Sequence, residues 1–252
     1  MIEEVFAVGT SRIHRVDPRH RVVFAAVFSV QTAIGKEPAA LILALAAALV
    51  LVLAARLDAR RVLQRSVPVL AFLMLLWLVL PWTVPGRPWL TTGPLSASME
   101  GVRLSWQISL KSISILLALM ALTATMTAAT LGHALHHLGV PEKIVSLLMI
   151  TYRYLFVIEA EFTRLWRAAK VRGFRPRTNL HSYRTYAYLV GMLFVRASDR
   201  AERVYAAMRC RGFKGKFYTL AVFPAGRDTV WFSLGMSGLA IAMAAAEWTA
   251  TV

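Results

Sequence analysis

Residues 206–217 read AAMRCRGFKGKF, and residues 168–174 read AAKVRGF. Each closes a helical pattern with Arg, Gly and Phe. Gly173 and Gly212 suit the left-handed position just past a helix end. Phe174 and Phe213 follow where they can fold back on Ala169 and Met208. A cation in the last turn also complements the negative end of the helix dipole. An ordinary helix stop explains that much. It does not call for Arg172 and Arg211 directly before the glycine in both copies, with Ala168 and Ala207 at the same place ahead of each. A guanidinium at an exposed tip can make two parallel charge-assisted bonds to a carboxylate. Two equivalent tips imply two equivalent acidic receivers, such as a pair of related subunits.

The chain around these endings is very apolar. Of its 252 residues 58% are hydrophobic, and the mean hydropathy is +0.57, which fits a multi-span membrane protein better than a soluble domain. The formal charge of +16 could suit nucleic acid, but its uneven placement between apolar blocks is better explained by a membrane, and no nucleic-acid partner is expected. Five segments look capable of spanning: Val22–Ile34, Pro38–Ala55, Ser66–Val84, Ser112–Leu131 and Thr229–Trp248. The first, 13 residues long, falls short of the roughly 20 that a bilayer core asks for. The start, MIEEVFAVGTSRIHRVDPRHR, is acidic and lacks a long apolar run, so no cleaved leader is expected and span one would double as the membrane address.

Basic residues set the expected orientation. Arg12, Arg15, Arg19 and Arg21 precede span one, and Arg56, Arg60, Arg61 and Arg65 fill the loop between spans two and three. The opposite loops hold Lys36, then Arg87 and Arg103. The N-terminus is therefore expected in the cytoplasm, and the loop PWTVPGRPWLTTGP outside. By parity, 142–227 is cytoplasmic. It carries 17 Lys/Arg against five acids, +12 of the net charge.

That segment is patterned. Pro141 and Glu142 open a helix. Ile144, Leu147, Leu148, Thr151, Tyr154, Leu155 and Ile158 start an apolar stripe that runs to Ala169, over about 30 residues or 45 Å. Tyr186, Val190, Leu193, Ala197, Ala201, Val204 and Met208 form a second stripe. Both read as long helices beside the membrane whose stripes pack on each other and on the spans; two further spans are the alternative. The expected fold is an all-α membrane protein of about five transmembrane helices with a cytoplasmic coupling domain of long amphipathic helices. The expected regions are 1–131 (spans one to four), 132–227 (coupling helices) and 228–252 (the last span).

With these residues in view, the chain resembles the T component of energy-coupling-factor (ECF) transporters. The two Arg-Gly endings carry the likeness, with SRIHRVDPRHR, RYLFVIEAEF and RASDRAERVYAAMRCRGFKGKF. HSYRTYAYLVGMLFVRASDRAERV looks most like the cobalt/nickel, CbiQ-like branch. The resemblance covers roughly residues 10–248. It implies a non-catalytic scaffold in the cell (inner) membrane, gripped through its coupling helices by two ABC-type ATPases. Those partners would hold ATP and Mg, and this chain no cofactor. A separate S component in the membrane would capture the substrate, cobalt by branch, with nickel or a vitamin as alternatives. The family's Arg and Gly fall on Arg172, Gly173, Arg211 and Gly212; Val171 and Cys210 stand where the family has Ala.

Other chemistry is thin. GFKGKF lacks the GxxxxGK[ST] spacing of a nucleotide-binding loop. No acid pair lies within the spans, which weighs against a self-contained secondary carrier, the rival class. His133 and His137 in HALHHLGV share a helical face and are weak metal candidates, with helix-end capping as the plain alternative. Cys210, the single cysteine, excludes an intrachain disulfide and a multi-thiolate metal site, and reads as a small packed residue. Lys111 is expected to snorkel outward from the shoulder of span four. Met120, Met126, Met149 and Met192 read as adaptable packing. Gly235 and Gly238 give the last span a small-residue face, for a docking helix or for internal packing.

Overall fold

The computed structural model describes residues 11–86, 88–92, 95–214 and 226–251. Arg87, and Lys216 with the rest of 215–225, lie outside that set. Nine helices are described: α1 (Arg12–Arg15), α2 (Pro18–Ile34), α3 (Pro38–Ala55), α4 (Ala59–Thr83), α5 (Met99–Leu122), α6 (Ala128–His137), α7 (Glu142–Val171), α8 (Leu180–Cys210) and α9 (Arg227–Thr251). The protein is an all-α membrane protein with one small exception. In the loop after α4, strands β1 (Pro88–Thr92) and β2 (Leu95–Ser98) pair antiparallel, Leu90 opposite Ala97. The Trp/Pro/Gly-rich connection expected there is therefore in part a hairpin.

The chain divides into two compact units. One is a bundle of α1–α5 and α9; the other holds α7 and α8, and the division at 134/135 falls within α6.

In the bundle, α4, α5 and α9 are long and apolar enough to cross a membrane, and α3 is a shorter apolar helix. Several expected boundaries move. Span one begins four residues earlier, because Asp17 caps α2 (its Oδ1 accepts from Arg19 N at 2.9 Å) and Pro18 fits the first helical position. Span three begins at Ala59, and Pro68 and Pro81 lie inside the helix. Span four is displaced most. Ser112–Leu131 becomes α5, which starts at Met99 and stops at Leu122, and a separate α6. Ser98 explains the early start: its Oγ accepts from Gly101 N at 3.3 Å.

Small residues set the packing. Ala44 and Ala48 of α3 and Ala118 and Ala121 of α5 are fully buried, so these two helices meet closely. Gly101 serves the same end between α4 and α5: a Cβ there would stand 2.6 Å from the Leu80 carbonyl oxygen. On α9, Met236 and Met243 face the core, and Phe232 meets Phe24 edge-on at 5.8 Å. Gly235 and Gly238 point away from it, exposed, with nothing among the described residues within 4 Å of a Cβ. Packing among the described residues therefore does not account for that face. Met120 and Met126 are buried as expected, whereas Met192 is exposed.

Two charged residues behave otherwise than expected. Lys111 lies in mid-helix and its Nζ donates to the Ala33 carbonyl at 2.8 Å, capping the end of α2 instead of snorkelling outward. Arg21 is buried, so it is no free surface charge.

In the other unit, α7 and α8 are 30 and 31 residues long. Pro141 precedes α7, and the Asn179 side chain caps α8 by accepting from Ser182 N at 2.9 Å. The two helices meet, but their stripes do not seal. Trp166 stacks on Tyr186 with centroids 5.5 Å apart, and Arg196 donates to Glu161. Beside these contacts lies an open apolar groove of about 380 Å³, lined among others by Tyr154, Ile158, Leu193, Val204, Met208 and Phe213. Ile144, Leu147 and Val190 stay exposed, so the expected mutual packing of the stripes is only partial.

Candidate functional site

Both Arg-Gly endings form the same backbone structure. After α7, Gly173 takes φ +84°, Gly173 N donates to Lys170 O at 3.0 Å, and Phe174 N donates to Ala169 O at 3.1 Å. After α8, Gly212 takes φ +80°, Gly212 N donates to Arg209 O at 3.0 Å, and Phe213 N donates to Met208 O at 3.0 Å. Those paired bonds are the Schellman stop, and they satisfy carbonyls that a helix end would otherwise orphan. Arg172 N and Arg211 N bond back to Ala168 O and Ala207 O at 3.2 and 3.3 Å.

Two further stops in this chain show what the motif requires. Gly139, at φ +93°, ends α6 with Gly139 N on His136 O and Val140 N on Leu135 O, both 3.2 Å. Arg56, at φ 52°, ends α3 with Arg56 N on Leu53 O at 3.0 Å and Leu57 N on Val52 O at 3.4 Å. Leu138 precedes the first turning residue and Ala55 the second. The stop therefore forms without Arg before it, and folding does not explain Arg172 and Arg211.

Both arginines are exposed, and among the described residues neither guanidinium has a hydrogen bond or ion pair. Ala168, Ala207, Gly173 and Gly212 are exposed too, with nothing among the described residues within 4 Å of a Cβ on either glycine. Cys210 is exposed beside Arg211, not packed as expected. The phenylalanines turn inward. Phe174 meets Trp166 and Tyr186 edge-on, each at 5.8 Å, and tilts on His181 at 6.3 Å. Phe213 lines the apolar groove. Each tip is thus an anchored Phe and an unencumbered Arg.

The tips are far apart. Phe174 packs at the start of α8, and Arg211 closes its other end. At 1.5 Å per residue the intervening helix makes the separation about 40 Å.

Glu161 ties α7 to α8. It is buried, accepts from Arg196 and pairs with Arg164 at 3.2 Å. The Arg196 hydrogen bond is the main cause that lowers its pKa below the ordinary carboxylate value, with the charges of Arg164, Arg196 and Arg200 acting the same way against the opposing effect of burial. The sequence stripe gave no hint of this pair.

His133 and His137 lie on α6, and among the described residues no group of three His, Cys, Asp or Glu could hold a metal ion.

Comparison with known proteins settles the family. The family described as "Cobalt transport protein", CbiQ, matches residues 9–219, a range that contains both tips. The chain belongs to the CbiQ cobalt transport protein family. The energy-coupling factor transporter transmembrane protein EcfT of Heliobacterium modesticaldum is 25% identical over 215 residues, 81% of this chain and 81% of its own length. The cobalt transport protein CbiQ of Rhodobacter capsulatus is 28% identical over 109 residues, 43% of this chain and 44% of that one. A putative ABC transporter ATP-binding protein of Bifidobacterium longum is 30% identical over 81% of this chain, which spans 28% of that longer protein. This CbiQ-family chain is accordingly a membrane protein of the ECF T-component type, and several of its relatives are named as transporter transmembrane proteins.

Proposed function

We propose that the chain is the coupling scaffold of an ATP-driven ECF-type importer for cobalt ions. It sits in the cell (inner) membrane with its N-terminus in the cytoplasm. Arg172 and Arg211 dock into acidic grooves on two ABC-type ATPases, which carry the ATP and Mg and do the hydrolysis. When those subunits close on ATP, the α7–α8 unit moves, and the bundle passes the movement to a separate S component that holds the substrate. The open Gly235/Gly238 face of α9 suits a helix of that subunit, because small residues let backbones approach closely.

One observation carries the proposal. Two helix stops present exposed arginines, unpaired among the described residues, that the stops themselves do not need, about 40 Å apart along α8. That spacing fits two receivers, one for each tip. The Bifidobacterium longum relative, named as an ATP-binding protein, supports an ATPase as the receiver. Cobalt rests on the family description and on the Rhodobacter capsulatus relative's name.

The test is reconstitution. Proteoliposomes holding this chain, its ATPases and its S component should take up Co²⁺ with ATP, and liposomes with this chain alone should not. Uptake by the chain alone would establish the secondary carrier instead. Ni²⁺ and vitamin substrates run in parallel decide the cargo.

A further inference from the structure

The geometry points to Arg21 and Asp17 as a clamp that carries movement of the α7–α8 unit into the membrane bundle. The inference rests on the coupling role proposed above. The starting observation is a buried guanidinium that no carboxylate among the described residues pairs. Arg21 is 2% exposed. Its Nε and Nη2 donate to the Leu122 carbonyl at 3.1 and 2.9 Å, and Nη2 also donates to Thr125 Oγ1.

Leu122 is the last residue of α5. Its carbonyl has lost its partner because the chain turns: Ala124 N returns to Leu119 O at 3.1 Å and Met126 N to Thr123 O at 3.1 Å. Arg21 supplies the missing donor, and its charge meets the negative end of the helix dipole. Thr125 extends the link, since its hydroxyl donates to Ala121 O at 2.8 Å. One side chain thus holds two of the last carbonyls of α5, one of them through Thr125.

The same turn of α2 holds a second helix. Asp17 N donates to Thr229 Oγ1 at 3.1 Å, and both residues are buried. Thr229 lies in the first turn of α9.

Chain connectivity gives these contacts their meaning. The unit containing α7 and α8 is inserted in sequence between α5 and α9. Its two covalent connections to the bundle therefore run from the end of α5, through α6, and into the start of α9. A single turn of α2 grips both of those helix ends. A pull arriving at either connection meets α2 before it can unwind the helix end, so the bundle moves as one body. Arg21 and Asp17 are positioning residues: they touch no substrate and act through α5 and α9.

The assay is hydrogen–deuterium exchange on the complete transporter in proteoliposomes, with and without ATP. In the wild-type complex, ATP should change exchange in residues 135–214 and also in α2, α5 and α9. With Arg21→Gln, the response of 135–214 and ATP hydrolysis should persist, while the bundle response falls by about fivefold. Thr125→Val keeps the cation and its Leu122 bond, so a fall of about twofold is expected. Should Arg21→Gln fail to assemble, Thr125→Val carries the test. An undiminished bundle response in either assembled variant overturns the clamp, even if exchange without ATP is raised, because that is mere loosening. A wild-type complex with no response in 135–214 overturns the coupling role itself.

Discussion

Reversing the charge at both tips, Arg172→Glu with Arg211→Glu, should separate docking from folding. A hydrogen bond to a charged group contributes about 1.5–3 kcal/mol, so losing it weakens each tip roughly 10- to 150-fold. A glutamate facing an acidic receiver adds repulsion to that loss. The cost inside the chain is smaller. The Schellman bonds run between backbone atoms and survive the substitution. What remains is the dipole term, about 0.3–1 kcal/mol lost with the cation and a similar amount added by the anion. The native chain supplies a reporter: Cys210 is its one thiol, exposed and adjacent to Arg211. Docked ATPase should shield Cys210 from maleimide in the wild-type complex. In the reversed variant labelling should proceed as in the free chain, with helix content by circular dichroism unchanged. Unaltered ATPase affinity together with unaltered shielding would refute the docking role of the tips.

Other expectations follow from single sites. Arg56 holds φ 52° without being glycine, so Arg56→Gly should stabilise the detergent-solubilised protein by about 1 kcal/mol, read as a rise in Tm. Gly101→Ala should do the opposite, by about 1–3 kcal/mol, because its Cβ would press on the Leu80 backbone. Glu161 has a lowered folded pKa, so the unfolded chain takes up its proton first. The stability it contributes should be complete above the ordinary carboxylate pKa of about 4.3 and drain away as pH falls through the folded value; Glu161→Gln should flatten that part of a pH–Tm curve. Finally, alanine at both His133 and His137 should leave ATP-driven uptake near the wild-type level, whereas abolition would favour the metal-site alternative.

Much of the fold is legible where one residue type dominates a segment. The Ala/Leu/Val run of α3 ends where expected, and the two glycine stops fall on the residues that the Arg-Gly-Phe spelling indicates. Boundaries fail where a polar cap or a break decides them. Ser98 starts α5 amid residues too polar to read as a span, and the break at 123–127 interrupts an apolar run that looks continuous. Arg21 was readable in principle. It falls on the stripe of Ala25, Phe28 and Thr32, at helical spacing, so its position marks it as inward-facing despite its charge. Its partner could not be read, because a carbonyl orphaned a hundred residues away leaves no signature in side-chain identity. The Glu161–Arg196 pair escaped for a related reason: bases are so frequent on α7 and α8 that no single partner for Glu161 stands out.

The helix stops at Gly173 and Gly212 are written almost wholly in main-chain atoms. The residue before each glycine can therefore change at little cost to the scaffold. On the docking role proposed above, partner preference could be re-keyed one letter at a time, and a set of chains differing only at positions 172 and 211 would sort a mixed pool of motors among themselves while sharing one architecture.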